Sequence, residues 1–102
     1  MAKLVVLYRQ AADPAAFEAH YFERHVPLAK RIAGLLRYET SAGPVASPTG
    51  SGPYQLVATL EFGSLDALNA GMASAEGRAA AKDVANFASA GVEMLVFDTR
   101  TV

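Results

Sequence analysis

The chain has no cysteine. Disulfides, thiolate nucleophiles and Cys-ligated zinc or iron–sulfur sites are thereby excluded. The same absence suits a reducing compartment, and the cytoplasm is the expected location. An excess of one charge is also missing, with nine Lys and Arg against ten Asp and Glu and a net charge of -1. Spread along the chain, that balance leaves no electrostatic footprint for nucleic acid or an anionic membrane, and neither partner is expected. Long hydrophobic runs are absent as well. The longest early one, Leu4 to Tyr8, is too short for a signal-peptide core or a bilayer crossing. There is no Gly-Lys-Ser/Thr phosphate loop, no Gly-x-Ser-x-Gly elbow and no dinucleotide fingerprint.

What is present is 102 residues that are 52% apolar and 19% charged. Such a chain is not disordered, and its length suits one domain over residues 1–102 with one core. Lys3 to Arg9 is rich in β-branched and aromatic residues and reads as a strand. Asp13-Pro14 signals a helix start, with Asp13 as cap and Pro14 in the first turn. Phe17, Tyr21, Arg24, Leu28 and Ile32 follow at helical spacing, and Gly34 supplies a stop, so a helix is predicted over about 14–33. Leu35 to Ser41 reads as a strand and Ala42 to Pro53 as a loop. Tyr54 to Phe62 alternates cleanly, with Tyr54, Leu56, Ala58, Leu60 and Phe62 on one face. Ser64 starts a short helix over Leu65 to Ala73. Ser74 caps another from Ala75 to about Ala88, and Val92 to Asp98 is the last strand.

The order β-α-β-β-α-β predicts a ferredoxin-like α+β sandwich, with the first and third long strands central. The first strand is apolar on both faces (Leu4, Val6 and Tyr8; Val5 and Leu7), and so is the last. Helices cover only one face, so a second copy is expected on the other, giving a homodimer whose two sheets make a dimeric α+β barrel.

His25 shares a helical face with Tyr21, Leu28 and Ile32. An imidazole at the edge of an apolar stripe can titrate near neutrality and serve as acid or base. It is equally a core-edge histidine bonded to a carbonyl. His20, five residues earlier, lies about 140° away around an α-helix. The two histidines therefore do not form a chelating pair, and His20 is expected in solvent or at an interface. No metal is expected. Pro27 interrupts the helix at a cost of roughly 3 kcal/mol and predicts a kink. Asp83 lies beside the apolar face of the last helix and needs a partner, with His25, Tyr21, Arg24 and Arg78 as candidates. It is either an orienter of His25 or half of an ion pair that locks two helices together. Tyr8, Tyr38 and Tyr54 are strand tyrosines, placed to pack in the core or to line a cavity.

Three stretches together resemble the EthD family, named for ethyl tert-butyl ether degradation. They are Phe17-x-x-x-Tyr21-Phe-x-x-His25-x-Pro27-Leu28; Pro53-Tyr54-x-Leu56-x-Ala58-x-Leu60-x-Phe62-x-Ser64; and Ser74-x-Glu76-Gly77 continuing to Asp83 and Phe87. The resemblance implies the dimeric α+β barrel, a cavity between sheet and helices, and functional roles for His25 and Asp83. Tyr8, Tyr21, Tyr38, Phe62 and Phe87 then become candidate substrate walls. Relatives on that fold include methylmuconolactone isomerases, polyketide cyclases and small monooxygenases, often without cofactor, and no cofactor is expected here. The resemblance leads to a protein of organic-compound degradation that binds a small apolar or aromatic molecule and moves a proton on it, as an isomerase, cyclase or lyase. One alternative is a non-catalytic accessory or carrier protein for an ether or aromatic pathway. The other is a haem- or oxygen-using monooxygenase relative.

Overall fold

A computed structural model describes residues 1–102. In chain order it holds β1 (Ala2–Arg9), α1 (Pro14–His20), a π-helical turn (Tyr21–His25), α2 (Val26–Ala29), β2 (Leu35–Thr40), β3 (Ala46–Ser47), β4 (Gly50–Ser51), β5 (Tyr54–Phe62), α3 (Leu65–Ala73), α4 (Ala75–Asp83), a 3-10 turn (Val84–Asn86) and β6 (Val92–Asp98). The main sheet runs β2-β5-β1-β6, with every neighbouring pair antiparallel. The two strands with the strongest apolar pattern, β1 and β5, are central, as the crossover rule requires. This is the ferredoxin-like α+β arrangement. A single chain leaves the sheet open, with β2 and β6 as its edges.

Alternation decides which side chains meet the helices. Leu4, Val6 and Tyr8 of β1 pair with Leu60, Ala58 and Leu56 of β5, and all six are buried under the helices. The opposite face carries Val5, Leu7, Leu95 and Phe97 among the charges of Lys3, Glu61 and Glu93. Leu95 and Phe97 are 52% and 41% exposed there. No helix of the structure is long and apolar enough to cross a membrane.

Helix starts fall where capping chemistry puts them. Asp13, Ser64 and Ser74 accept from the backbone N–H groups of Ala16, Ala67 and Gly77. Helices α3 and α4 meet very closely, because a Cβ on Gly77 would collide with the Gly71 carbonyl and the Met72 backbone. The loop after β2 contains a two-rung hairpin, β3 with β4, too short to register as sequence periodicity.

The first helix departs from expectation. It is not one α-helix to residue 33 with a kink at Pro27. The turn before the proline is widened, and the Val26 N–H reaches the Tyr21 carbonyl five residues back. Pro27 then falls in the first turn of α2, where a missing N–H costs little. The last predicted helix also tightens after Asp83, ending in the 3-10 turn.

Candidate functional site

The widened turn places the site's histidines. Five residues separate His20 from His25, and five residues take a π-helix slightly more than once around. Both imidazoles therefore point to the same side, toward the end of α4. His20 Nε2 lies 2.9 Å from Asp83 Oδ1, and His25 Nδ1 lies 2.9 Å from Asp83 Oδ2. The Asn86 side-chain amide donates to Oδ1 at 3.0 Å from the 3-10 turn. Expecting His20 in solvent or at an interface is thus corrected: its ring is partly buried and stacked 5.2 Å from Phe87. The angle of about 140° holds only for an uninterrupted α-helix.

Protons follow from the partners. An ionised carboxylate only accepts, so His25 donates through Nδ1–H and His20 through Nε2–H. Burial opposes ionisation of Asp83, but the bonds from Asn86, His20 and His25 outweigh it and hold the carboxyl below its ordinary range. Burial lowers the His25 pKa below 6.5, and the Asp83 carboxylate only partly reverses that. At neutral pH His25 is therefore an uncharged imidazole with its Nε2 lone pair free.

The His25 ring borders a cavity. The space is lined by Tyr8, Tyr21, Tyr38 and His25 and otherwise by apolar side chains, and it amounts to about 30 Å³. Such a volume holds about one or two water molecules. Its outer wall includes Met94, 46% exposed on edge strand β6, and Met72 of α3. Methionine side chains bend and repack readily, so these two are the most adaptable part of the wall. The Tyr21 and Tyr38 hydroxyls are hydrogen-bonded at 2.5 Å. Tyr8 OH and His25 Nε2 have no protein partner, yet no side-chain N or O that is sealed from space is unpartnered, so both border free space. Burial raises the pKa of all three tyrosines, keeping their hydroxyls protonated.

Of the residues the sequence singles out, His25, Tyr8, Tyr21 and Tyr38 meet at the cavity, and Asp83 stands behind His25. Phe62 and Phe87 do not line it. Phe62 is wholly buried, 3.0 Å from where a Cβ on Gly71 would stand. Phe87 packs on Tyr8, Phe17 and Tyr21 and touches both histidine rings. Sequence reasoning missed His20 and Asn86. The signal for His20 was Pro27, whose cost is relieved by widening the turn before it. Asn86 follows Asp83 by one tight turn. No group of three or more His, Asp or Glu side chains is arranged to hold a metal ion.

The EthD domain matches residues 9–91, and the chain belongs to the EthD family. An uncharacterised 11.0 kDa protein from the thcB–thcC intergenic region of Rhodococcus erythropolis is 45% identical, covering 100% of this chain and 98% of that one. The crystal structure of an EthD family protein from Bacillus halodurans superimposes with a TM-score of 0.90 at 32% identity, over 98% of this chain and 99% of that one. More distant likenesses share the fold alone. SnoaB, a cofactor-independent oxygenase from Streptomyces nogalater, has a TM-score of 0.66 at 19% identity, over 99% and 94% of the two chains. A dimeric ferredoxin-like protein from Thermobifida fusca has a TM-score of 0.71 at 16% identity, over 96% and 90%.

Proposed function

We propose that this chain is the single-domain protomer of a cytoplasmic homodimer that binds a small apolar or aromatic molecule beside His25 and moves a proton on it without a cofactor. One observation carries the reading. His25 Nδ1 lies 2.9 Å from Asp83 Oδ2 while the ring borders an apolar cavity, and burial lowers its pKa so that the imidazole is uncharged at neutral pH. A lone pair presented by an oriented imidazole, away from bulk water, is what a general base requires. Asp83 orients the ring and stabilises the imidazolium formed when the proton arrives. Tyr8, Tyr21 and Tyr38 contact the guest, and Phe87 braces the histidines.

The second copy lies against the open sheet face, closing two sheets into a barrel. Exposed Leu95 and Phe97 support this, as does the dimeric T. fusca protein of the same fold.

The test is a thermal-shift screen of lactones, phenols, quinones and ethers against the wild type and His25→Ala. A bound ligand raises the midpoint by mass action. The reading expects a compound that stabilises only the wild type and is turned over only by it. Turnover that survives in the variant removes His25 from the chemistry.

The second reading, a carrier that binds without reacting, is favoured by the enclosure of the ring, which is 5% exposed. Stabilisation by a ligand that emerges unchanged decides for it. A haem-using site is a poor fit, because about 30 Å³ in front of Nε2 holds no macrocycle.

A further inference from the structure

The cavity's polar groups form a small and unequal set. His25 Nε2 is an acceptor. The Tyr21–Tyr38 pair holds one internal hydrogen bond. Whichever hydroxyl donates it, the other keeps an O–H free for a guest. Tyr8 supplies a second unpartnered O–H. Two hydroxyl donors and one basic nitrogen thus border one space, and no cationic side chain lines it.

From this inventory we infer that the substrate is an uncharged, enolisable carbonyl compound, a small ketone or lactone, whose oxygen the tyrosines hold while His25 takes a proton from the adjacent carbon. The inference rests on the proton-transfer reading above and gives it a substrate class.

The match is one of counts and charge. A carbonyl oxygen has two lone pairs and accepts from two donors. Its α C–H supplies the proton that Nε2 lacks. An ether accepts the same two hydrogen bonds but offers the imidazole nothing. A phenol satisfies all three groups yet has no reacting carbon, so it acts as an inhibitor. A carboxylate would enter an apolar space with no cation to meet it, close behind which stands Asp83.

The step balances without a co-reactant. The α C–H bond breaks and its proton goes to Nε2. The electron pair forms a carbon–carbon double bond as the carbonyl π pair moves onto oxygen. The imidazolium keeps its Nδ1–H on Asp83. The enolate oxygen is held by hydroxyls whose own protons stay in place, since burial makes all three tyrosines weaker acids. Return of the proton to the same carbon is exchange, and return to another carbon of a conjugated enolate is isomerisation.

The experiment follows deuterium uptake at the α-carbons of cyclopentanone in D2O by NMR, with ethyl tert-butyl ether as binding control. The proteins are wild type, Tyr8→Phe, the double variant Tyr21→Phe/Tyr38→Phe, which alone removes the pair's free donor, and His25→Gln. The phenylalanine variants keep the ring volume, so the fold should survive, and circular dichroism checks it. Wild-type protein is expected to catalyse uptake and His25→Gln to lose it. Each phenylalanine variant should slow it by about a hundred- to a thousandfold, the range found when one oxyanion donor is removed. 4-Nitrophenol should inhibit by competing with the ketone for the same space.

Three results overturn the inference. Uptake that needs His25 but ignores both the Tyr8 and the Tyr21/Tyr38 substitutions removes the carbonyl-binding role and leaves proton transfer standing. Ether binding without ketone binding or exchange removes the substrate class and leaves small-molecule binding. Absence of binding by ketone, phenol and ether alike removes both this inference and the reading beneath it.

Discussion

At the scale of single residues, the site is governed by Asp83. It receives hydrogen bonds from two imidazoles and an amide, so its removal strands buried donors. Asp83→Ala should cost about 3 kcal/mol, read as a lower urea midpoint, because each unsatisfied buried donor costs roughly 1–3 kcal/mol. An unchanged midpoint would mean that water replaces the carboxylate freely. His25 gives a pH signature. Its folded pKa is below the unfolded value of 6.5, so below that pH the unfolded chain binds more protons than the native one. Stability therefore falls as pH drops from about 6.5 toward the folded value. Asp83, whose pKa is also lowered, adds a second loss below about 3.8. His25→Gln should flatten the upper window and leave the lower one, checked by thermal midpoints across the pH range. Most of this was legible beforehand: a histidine on an apolar stripe and a carboxylate beside the facing helix each needed a partner, and they found each other. The placement of Phe62 as a cavity wall was not. Alternation marks a side chain as buried, whereas the shape of a void depends on what three elements leave unfilled.

Among elements, the strands read directly from a period of two, and the helix starts from Asp13, Ser64 and Ser74. The widened turn did not, because periodicity arguments assume one helical pitch throughout. Pro27 announced a disruption without saying which form it takes. Its replacement tests the link between backbone and site. Pro27→Ala restores an N–H and lets an α-helix run through, which should swing His20 away from His25. We expect stability to hold or rise while a ligand that stabilises the wild type loses that effect. Retained ligand response would show that the turn persists without the proline. The α3–α4 contact makes a second demand. Gly77→Ala pushes a methyl into backbone atoms of Gly71 and Met72, which lack a side chain's freedom to move. A loss of about 2 kcal/mol or more, seen in the thermal midpoint, is the expected cost of such overpacking.

For the molecule as a whole, a sheet clothed on one face by helices leaves the other to be covered. The sequence carried this in the two-faced patterns of β1 and β6, and the exposure of Leu95 and Phe97 agrees. If the proposed homodimer forms through this face, exchanging both for lysine should give a monomer by light scattering under conditions in which the unsubstituted chain gives twice that mass. A dimer that survives would place the contact elsewhere. Because Met94 borders the cavity and lies on the same edge strand, assembly and ligand entry are expected to influence each other.

The spacing of the two imidazoles has one more consequence. A coil with an extra residue in one of its loops is relieved by taking that residue out. Deleting the exposed Glu23 from a Pro27→Ala chain would let ordinary winding resume and bring the rings to a separation of four, still on a common side. A shortened chain should therefore keep its grip on the carboxylate, whereas a chain lengthened by one alanine at the same point should lose it.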